Sequence, residues 1–292
     1  LYLAKGGFWL SLNNVSGVIL SILSAIFFAN YLEQHTYGVY KYILSIISLT
    51  TILSLPGINT SLTRSIAKKH YSSFKRSFKI KFKWSFFGSI TLSIIALYYH
   101  IQGNTEISFG LIPIIFLFPI LQAANIFPSY LIGTKDFKQN TIFNVINKIT
   151  SILPAIITII FTQNLYIILF LSFFSQTAIN FTFYKKISKK IPTEKEKDND
   201  LINYGKHLTF ANILSKIANQ IDKILIFQFL GSAELAIYIF AITPPEQIKS
   251  FAKSITNLAF PKFADAKKDI LKQTLLKKIL IFTIILSIIT II

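Results

Sequence analysis

Ionisable and amide side chains recur inside an otherwise apolar stretch of this chain, and their types and spacing could do chemistry. Thr209, Asn212, Lys216, Asn219 and Lys223 follow one another at intervals of three or four residues, so on one helix they would share a face. A lysine deep in an apolar helix is costly unless it lines water or protein. Ammonium groups suit a phosphate as point charges. We therefore predict that Asn212, Lys216, Asn219 and Lys223 bind an anionic substrate.

The next apolar stretch carries a second polar stripe, which begins with Glu246 and Lys249. Lys249 would extend the cationic substrate-binding surface. Asp222 and Glu246 are predicted to balance its charge or to exchange a coupling ion, H⁺ or Na⁺, and the alternative is that they only pair with nearby lysines. Pro244 and Pro245 directly precede the stripe and should break or bend the helix, so this pair is predicted as a hinge.

Long apolar runs must hold these stripes, because a spanning helix needs about 20 mostly apolar residues. Six such runs precede residue 185, and we predict helices over 8–31, 38–62, 84–101, 109–132, 142–161 and 165–184. Further helices are predicted over 204–230 and 234–260, the latter closed by Pro261, and a ninth starts near residue 279. Hydrophobic residues make up 52% of the 292 residues and the mean hydropathy is +0.56. The chain is therefore predicted to be an all-α polytopic membrane protein with about nine transmembrane helices.

Basic residues alternate between the connections of these helices. Eight Lys and Arg residues lie in 64–83, whereas the connections at 101–108 and 162–164 contain none. By the positive-inside rule the N-terminus is cytoplasmic and the protein lies in the cytoplasmic (inner) membrane, with anionic inner-leaflet lipids as partners. The net charge of +18 follows from these connections, so we predict no nucleic-acid partner. Lys41 falls near the outer end of its helix, and Lys148 is interpreted as an interface anchor.

Several kinds of catalytic site are excluded by residue types. The chain has no Cys and four scattered His residues without metal-ligand spacing, so a thiol nucleophile, a Cys-zinc site and a His-based metal site are not expected. The phosphate-binding pattern GxxxxGK[ST] does not occur. We predict no metal, no cofactor and no enzymatic activity.

The charged run over 185–200 marks the boundary between two halves. We predict a six-helix first lobe over 1–184, a cytoplasmic linker over 185–203 and the start of a second lobe over 204–292. The pair Tyr31-Leu32, followed by Tyr40, is echoed by Phe229-Leu230 followed by Tyr238. An even number of helices per unit would give both repeats the same orientation, which is a parallel-repeat transporter architecture.

The motifs Tyr37-Gly38-Val39-Tyr40, Pro56-Gly57-Ile58-Asn59 and Asn219-Gln220-Ile221-Asp222-Lys223 resemble those of the oligosaccharide flippases of polysaccharide biosynthesis. That family belongs to the multidrug/oligosaccharidyl-lipid/polysaccharide exporter superfamily. The resemblance implies alternating-access translocation of a lipid-linked oligosaccharide carried on an undecaprenyl-type pyrophosphate. It also implies a glycan polymerase and glycosyltransferases of the same pathway as partners. Ala236 stands where the family has Gly, and members have twelve or more helices, so the chain is expected to be C-terminally truncated.

Three other functions remain open. The first is a cation-coupled multidrug exporter of the same superfamily, although the excess of lysine over acid in the stripes disfavours a cationic substrate. The second is a membrane-embedded glycan polymerase or acyltransferase, which would be expected to have a sizeable external loop or a His/Asp pair. The third is an inactive fragment, because a second lobe of three helices would leave much of the cavity open to lipid.

Overall fold

The computed structural model describes residues 2–191, 198 and 200–264, and these residues form helices joined by short turns. Eleven α-helices follow one another in this part of the chain. They are α1 (Tyr2–Tyr31), α2 (Gln34–Thr50), α3 (Gly57–Ala67), α4 (Ser73–Ile101), α5 (Thr105–Ala124), α6 (Phe127–Gly133), α7 (Phe137–Phe161), α8 (Leu165–Ser188), α9 (Leu201–Ala218), α10 (Ile221–Phe229) and α11 (Ser232–Ala264). The prediction of an all-α protein is confirmed.

Six helical segments within the described residues are long and apolar enough to cross a membrane. They are Ser11–Tyr31, Gln34–Ser54, Ser73–Ile101, Thr105–Gly133, Phe137–Phe161 and Leu165–Ser188. They match the six apolar runs predicted before residue 185, so the chain is a multi-pass membrane protein. The remaining helices, α3, α9, α10 and α11, do not meet the same measure of length and composition. The predicted ninth helix lies outside the described residues.

The second predicted helix, over 38–62, is wrong as one continuous element. The chain leaves α2 through a short 3₁₀ helix at Thr51–Ser54, and Leu55 then adopts a left-handed backbone with φ of 54° before α3 begins. Pro56 follows at the start of α3. A proline disfavours helical geometry in the residue before it and lacks an N–H of its own, which explains why the helix is interrupted here.

Two other predicted helices also differ from the structure in their continuity. The fourth is interrupted between Ala124 and Phe127, and the seventh is divided into α9 and α10 at Asn219 and Gln220. The division of the seventh helix means that Lys216 and Lys223 lie on different helices. The premise that they share one helical face is therefore wrong.

The prolines of α11 do not interrupt the helix, unlike Pro56 at the start of α3. This helix continues through Pro244 and Pro245, where a break or bend was predicted, and also through Pro261, where the helix was expected to end. Whether the proline pair acts as a hinge stays a prediction. At 1.5 Å per residue, a helix of 33 residues is about 50 Å long, which exceeds the hydrocarbon thickness of a bilayer.

Two apolar cores hold the bundle together. One joins α2, α4, α5 and α8 to the start of α11 and includes Ile43, Leu111 and Leu235. The other joins α3, α6, α7 and α8 to the start of α9 and includes Phe127 and Leu201. Both cores therefore extend from the first eight helices into the last three, which fixes α9–α11 against the six spans.

A lysine lies between the two cores. Lys81 belongs to the basic cluster at 64–83, but the helix that carries it begins at Ser73 rather than near residue 84, and the side chain is only 2% exposed. Its Nζ donates to Asn59 Oδ1 at 2.9 Å, and Asn59 Nδ2 donates to the Asn125 carbonyl at 3.4 Å. Lys81 thus connects two of the helix interruptions. It is a buried structural lysine, whereas the cluster as a whole was interpreted as loop charge facing the inner leaflet.

Candidate functional site

A polar cavity of about 330 Å³ lies where α1 and α2 meet α10 and α11. Serine and threonine hydroxyls, two amides and three charged groups form most of its polar lining. These polar residues are Ser21, Ser24, Lys41, Ser45, Ser48, Gln220, Lys223, Thr243, Glu246 and Gln247. Phe28 and Tyr37 add an aromatic wall. We call this space the central cavity.

A second cavity of about 570 Å³ adjoins it between α1, α7 and α11 and shares Ser21, Glu246 and Gln247 with it. Lys148 and Lys249 line this second cavity. We call this space the side cavity. Because the two cavities share one wall, a molecule that occupies one of them would also face groups of the other.

The charge of the two cavities is strongly positive. Four lysines and one glutamate line them, which leaves an excess of three positive charges: Lys41, Lys148, Lys223, Lys249 and Glu246. Intramembrane cations that lack matching acids default to a functional explanation, because isolated charges in this environment are costly. The arrangement is suited to a ligand that brings its own negative charge.

Local contacts hold each lysine in place. The ammonium of Lys41 lies 5.2 Å from the centre of the Tyr37 ring, and the charges of Lys223 and Glu246 act on it. Lys223 Nζ donates to the Asn219 carbonyl at 3.4 Å, which is an acceptor left free where α9 ends. These contacts are long, so both ammonium groups keep donors for a ligand.

On the opposite side of the side cavity, Lys148 turns towards α1. Its Nζ donates to the Asn13 carbonyl at 2.7 Å and to Asn13 Oδ1 at 3.1 Å. A Cβ at Gly17 would come within 2.7 Å of the same Nζ, so this glycine makes room for the lysine. Lys148 therefore reaches into the bundle, and its interpretation as an interface anchor is wrong.

Asp222 has a bonding role between α10 and α11. Its Oδ2 accepts a hydrogen bond from the Tyr238 hydroxyl at 2.5 Å, and its Oδ1 accepts one from the Lys223 backbone N–H at 2.8 Å. Asp222 lines neither cavity. The structure thus gives this carboxylate two partners, and its predicted part in charge balance or ion coupling remains a prediction.

Only some of the other predicted site residues lie together at the two cavities. Glu246, Lys223 and Lys249 line the cavities, whereas Lys216 and Asn212 do not. The exposed side chain of Asn212 donates to the Leu208 carbonyl of its own helix at 2.8 Å.

Asn219 ends α9 and offers its carbonyl to Lys223. Pro244 and Pro245 lie in α11 just before Glu246, and neither lines a cavity. The substrate-binding role of Asn212, Lys216 and Asn219 stays a prediction.

Two lysines and several hydroxyls of the cavities were missed at the level of sequence. Lys41 lies seven residues into α2, and the reasoning about intramembrane charges that singled out Lys216 applies to it equally. Ser21, Ser24, Ser45 and Ser48 carried no such signal, because serine is common in transmembrane helices. Within the described residues, no group of three His, Cys, Asp or Glu side chains is placed to hold a metal ion.

Two contact zones join the first eight helices to α9–α11. In the first, which we call the α2–α11 seam, Gln34 Nε2 donates to the Ala233 carbonyl at 3.0 Å, and a Cβ at Gly38 would lie 1.8 Å from the Ser232 carbonyl oxygen. Tyr37 stacks on Phe240 of α11 at 4.5 Å, and the seam extends to α10, where Tyr42 stacks on Phe227 at 3.8 Å. The Gln228 amide donates to the hydroxyls of Tyr42 and Tyr99.

The second zone, the α3–α9 seam, is made of small residues. Ser61 Oγ donates to the Leu201 carbonyl at 2.7 Å, and the Gly57 N–H donates to Thr209 Oγ1 at 3.0 Å. A Cβ at Gly57 would lie 2.2 Å from the Gly205 carbonyl oxygen, so the two backbones touch. The first eight helices thus meet α9–α11 through aromatic packing at one seam and through small residues in backbone contact at the other.

Comparisons with known proteins agree with this architecture. A family model described as polysaccharide biosynthesis protein matches residues 3–267. One solved structure, described as protein A, superposes with a TM-score of 0.62 at 13% sequence identity, covering 97% of this chain and 70% of its own.

Another solved structure is an inward-facing multidrug resistance MATE family transporter of the MOP superfamily. It superposes with a TM-score of 0.53 at 13% identity, covering 89% of this chain and 63% of its own. At such identities the likeness concerns the fold alone. A comparison with curated protein sequences found no significant match.

Proposed function

The chain belongs to the family of polysaccharide biosynthesis proteins, and on that premise we propose that it translocates a lipid-linked oligosaccharide across the cytoplasmic membrane by alternating access. Its fold is that of a MATE-type transporter, which favours transport over an enzymatic reaction. The α2–α11 and α3–α9 seams would separate in turn, so that the central cavity faces one side of the membrane and then the other.

The observation that carries this proposal is the excess of lysine in the cavities. Lys41 and Lys223 line the central cavity from two different helices, one from α2 and the other from α10. An undecaprenyl-type pyrophosphate would supply the negative charge that these ammonium groups lack. The serine hydroxyls around them offer donors and acceptors to the sugar, and Glu246 is the carboxylate placed to exchange H⁺ or Na⁺ with the cavity.

Orientation follows from the basic connections. The positive-inside rule places 64–83 and the N-terminus on the cytoplasmic side, so the α3–α9 seam would face the cytoplasm and the α2–α11 seam the exterior. Glycosyltransferases that build the lipid-linked unit on the cytoplasmic side and a glycan polymerase on the other would then be its functional partners.

The proposal is tested by replacing Lys41 and Lys223 together with Gln and measuring glycan export in a host that lacks its own exporter. Loss of two charge-assisted contacts should lower export at least about 100-fold, with unchanged protein levels in the membrane. The matched control is Lys68→Gln with Lys69→Gln, which removes the same charge from exposed positions. Normal export by the Lys41/Lys223 variant would refute the proposal.

A cation-coupled multidrug exporter is the second candidate, because the MATE transporter of the same fold is a multidrug resistance protein and Glu246 lines both cavities. Cationic drugs would require an excess of acid, whereas lysines outnumber Glu246 four to one. A drug-susceptibility test in a pump-deficient host distinguishes the two. Drug resistance that depends on Glu246, together with export that is indifferent to the lysines, would favour the second candidate.

A further inference from the structure

A pocket separate from both cavities lies at one end of the bundle, where α6 ends, α7 begins and α8 ends. Its volume is about 270 Å³. Its lining residues are Tyr130, Leu131, Thr134, Asp136, Gln139, Phe143, Lys186, Ile187 and Lys190. None of them lines the central or side cavity. We call it the α7–α8 pocket.

Two lysines form its rim. Lys186 near the end of α8 and Lys190 just after it are both exposed, and both line the pocket. In the part of the chain that the structure describes, neither ammonium has a carboxylate within 4.0 Å, and the one ion pair found there is between His35 and Glu106. The Lys186 ammonium lies 5.4 Å from the centre of the Phe143 ring. Among the described residues, which leave out 192–197 and 199, the rim therefore carries two positive charges without a counterion.

The single acid of the pocket does not cancel them. Asp136 precedes α7, and its Oδ1 accepts a hydrogen bond from the Gln139 backbone N–H at 3.0 Å. A carboxylate in this position is paired with the free N–H groups and the positive dipole end of the helix. The pocket as a whole is left with a net positive charge.

The opposite wall is apolar. Leu131, Phe143 and Ile187 are buried side chains of the second core, and Tyr130 packs beside them. A rim of lysines above an apolar wall, at the ends of helices that span the membrane, is the setting in which transmembrane bundles bind lipid head groups. A free inorganic anion would need the lysines but would gain nothing from the apolar wall.

We propose that the α7–α8 pocket binds the head group of an anionic membrane phospholipid. Its phosphate would lie between Lys186 and Lys190, and the glycerol backbone would rest against Phe143 and Ile187. The volume is sufficient for a head group, so the acyl chains would remain in the bilayer beside α7 and α8. This site does not depend on the proposed transport function, because it shares no residue with the cavities.

The test uses the full chain, purified and reconstituted in nanodiscs that contain phosphatidylglycerol and phosphatidylcholine. Lipid retained after partial delipidation is counted by native mass spectrometry. Lys186→Gln with Lys190→Gln should lower retention of phosphatidylglycerol roughly 10-fold, since each basic residue near a membrane surface contributes to attraction of anionic lipid. The matched control is Lys185→Gln with Lys189→Gln, which removes equal charge from the same helix end outside the pocket.

The expected result is loss of phosphatidylglycerol in the Lys186/Lys190 variant only, unchanged retention of phosphatidylcholine, and no displacement by inorganic phosphate. Equal loss of phosphatidylglycerol in both double variants would show that the lipid is held by general surface charge, and it would refute the proposed site. No loss in either would overturn it as well. Displacement of the lipid by inorganic phosphate would assign the lysines to a soluble anion instead. A thermal melt of each variant checks that the bundle is intact.

Discussion

The two seams that join the first eight helices to α9–α11 each contain a close backbone approach at a glycine, and they differ in what surrounds it. At the α2–α11 seam Gly38 meets Ser232, and stacked rings and a glutamine that bonds two tyrosine hydroxyls lie beside the contact. At the α3–α9 seam Gly57 meets Gly205, and hydrogen bonds from Ser61 and Gly57 lie beside the contact. Neither glycine leaves room for an added methyl group. The seams therefore differ in aromatic packing at one and hydrogen-bonded small residues at the other.

The largest effect should come from locking either seam. The chain has no native Cys, so introduced pairs react without background. Gln34→Cys with Ala233→Cys places thiols across the α2–α11 seam, and Ser61→Cys with Leu201→Cys places them across the α3–α9 seam. If the seams open in turn, a short reducible cross-link at either one should lower glycan export to background. Chemical reduction of the cross-link should restore export.

The uncross-linked double variants serve as controls and should export normally. Export that continues while the α3–α9 pair is fully cross-linked would contradict alternating access. Export that stops only with that pair would show that the α2–α11 seam does not need to open.

The next effect concerns the glycine at each seam. Gly57→Ala should lower the free energy of unfolding by about 3 kcal/mol, because its Cβ would lie 2.2 Å from the Gly205 carbonyl oxygen. Gly38→Ala should cost at least as much, because its Cβ would lie 1.8 Å from the Ser232 carbonyl oxygen. Equilibrium unfolding in detergent measures both. A cost for Gly38→Ala well below that of Gly57→Ala would show that the start of α11 shifts to admit the methyl group.

The smallest effect concerns single hydrogen bonds. Ser61→Ala should lower the free energy of unfolding by about 1 kcal/mol, since it removes a buried bond of 2.7 Å. Gln228→Ala should cost about half as much, because the Tyr42 and Tyr99 hydroxyls still bond each other at 2.5 Å. The same unfolding assay ranks the pair. A larger loss of unfolding free energy for Gln228→Ala than for Ser61→Ala would show that the Gln228 amide contributes more to stability than predicted.

The spans could be predicted from the sequence because length and apolarity alone define them, and all six that precede residue 185 are present. The interruptions were harder. Pro56 carried a signal for the first one, since a proline restricts the residue before it. The division of α9 from α10 falls at Asn219 and Gln220, where the sequence has neither proline nor glycine to indicate a break. The continuity of α11 through Pro244 and Pro245 was not predicted either, because proline disfavours the interior of a helix.

Which polar residues line the cavities could be predicted only where the helix that carries them is continuous. Glu246 and Lys249 lie on α11, which is continuous, and both line the side cavity as expected. Lys216 and Lys223 were assigned to one face of a helix that is in fact interrupted, and only Lys223 reaches the cavity. Lys148 was missed because its partner, Asn13, lies on α1, which only the tertiary structure brings near. Lys41 and Tyr37 are neighbours on α2, and what the sequence did not show is that α10 and α11 close a cavity around them.

The most direct test of the account is whether lipid-linked glycan occupies the central cavity. Ser24→Cys places one thiol on the cavity wall in a chain without other Cys, and its rate of labelling by a water-soluble maleimide reports access. The account predicts that an undecaprenyl-pyrophosphate glycan slows labelling at least about 10-fold, and that Lys41→Gln with Lys223→Gln abolishes this protection. Labelling that is equally fast with and without the lipid-linked glycan would contradict it.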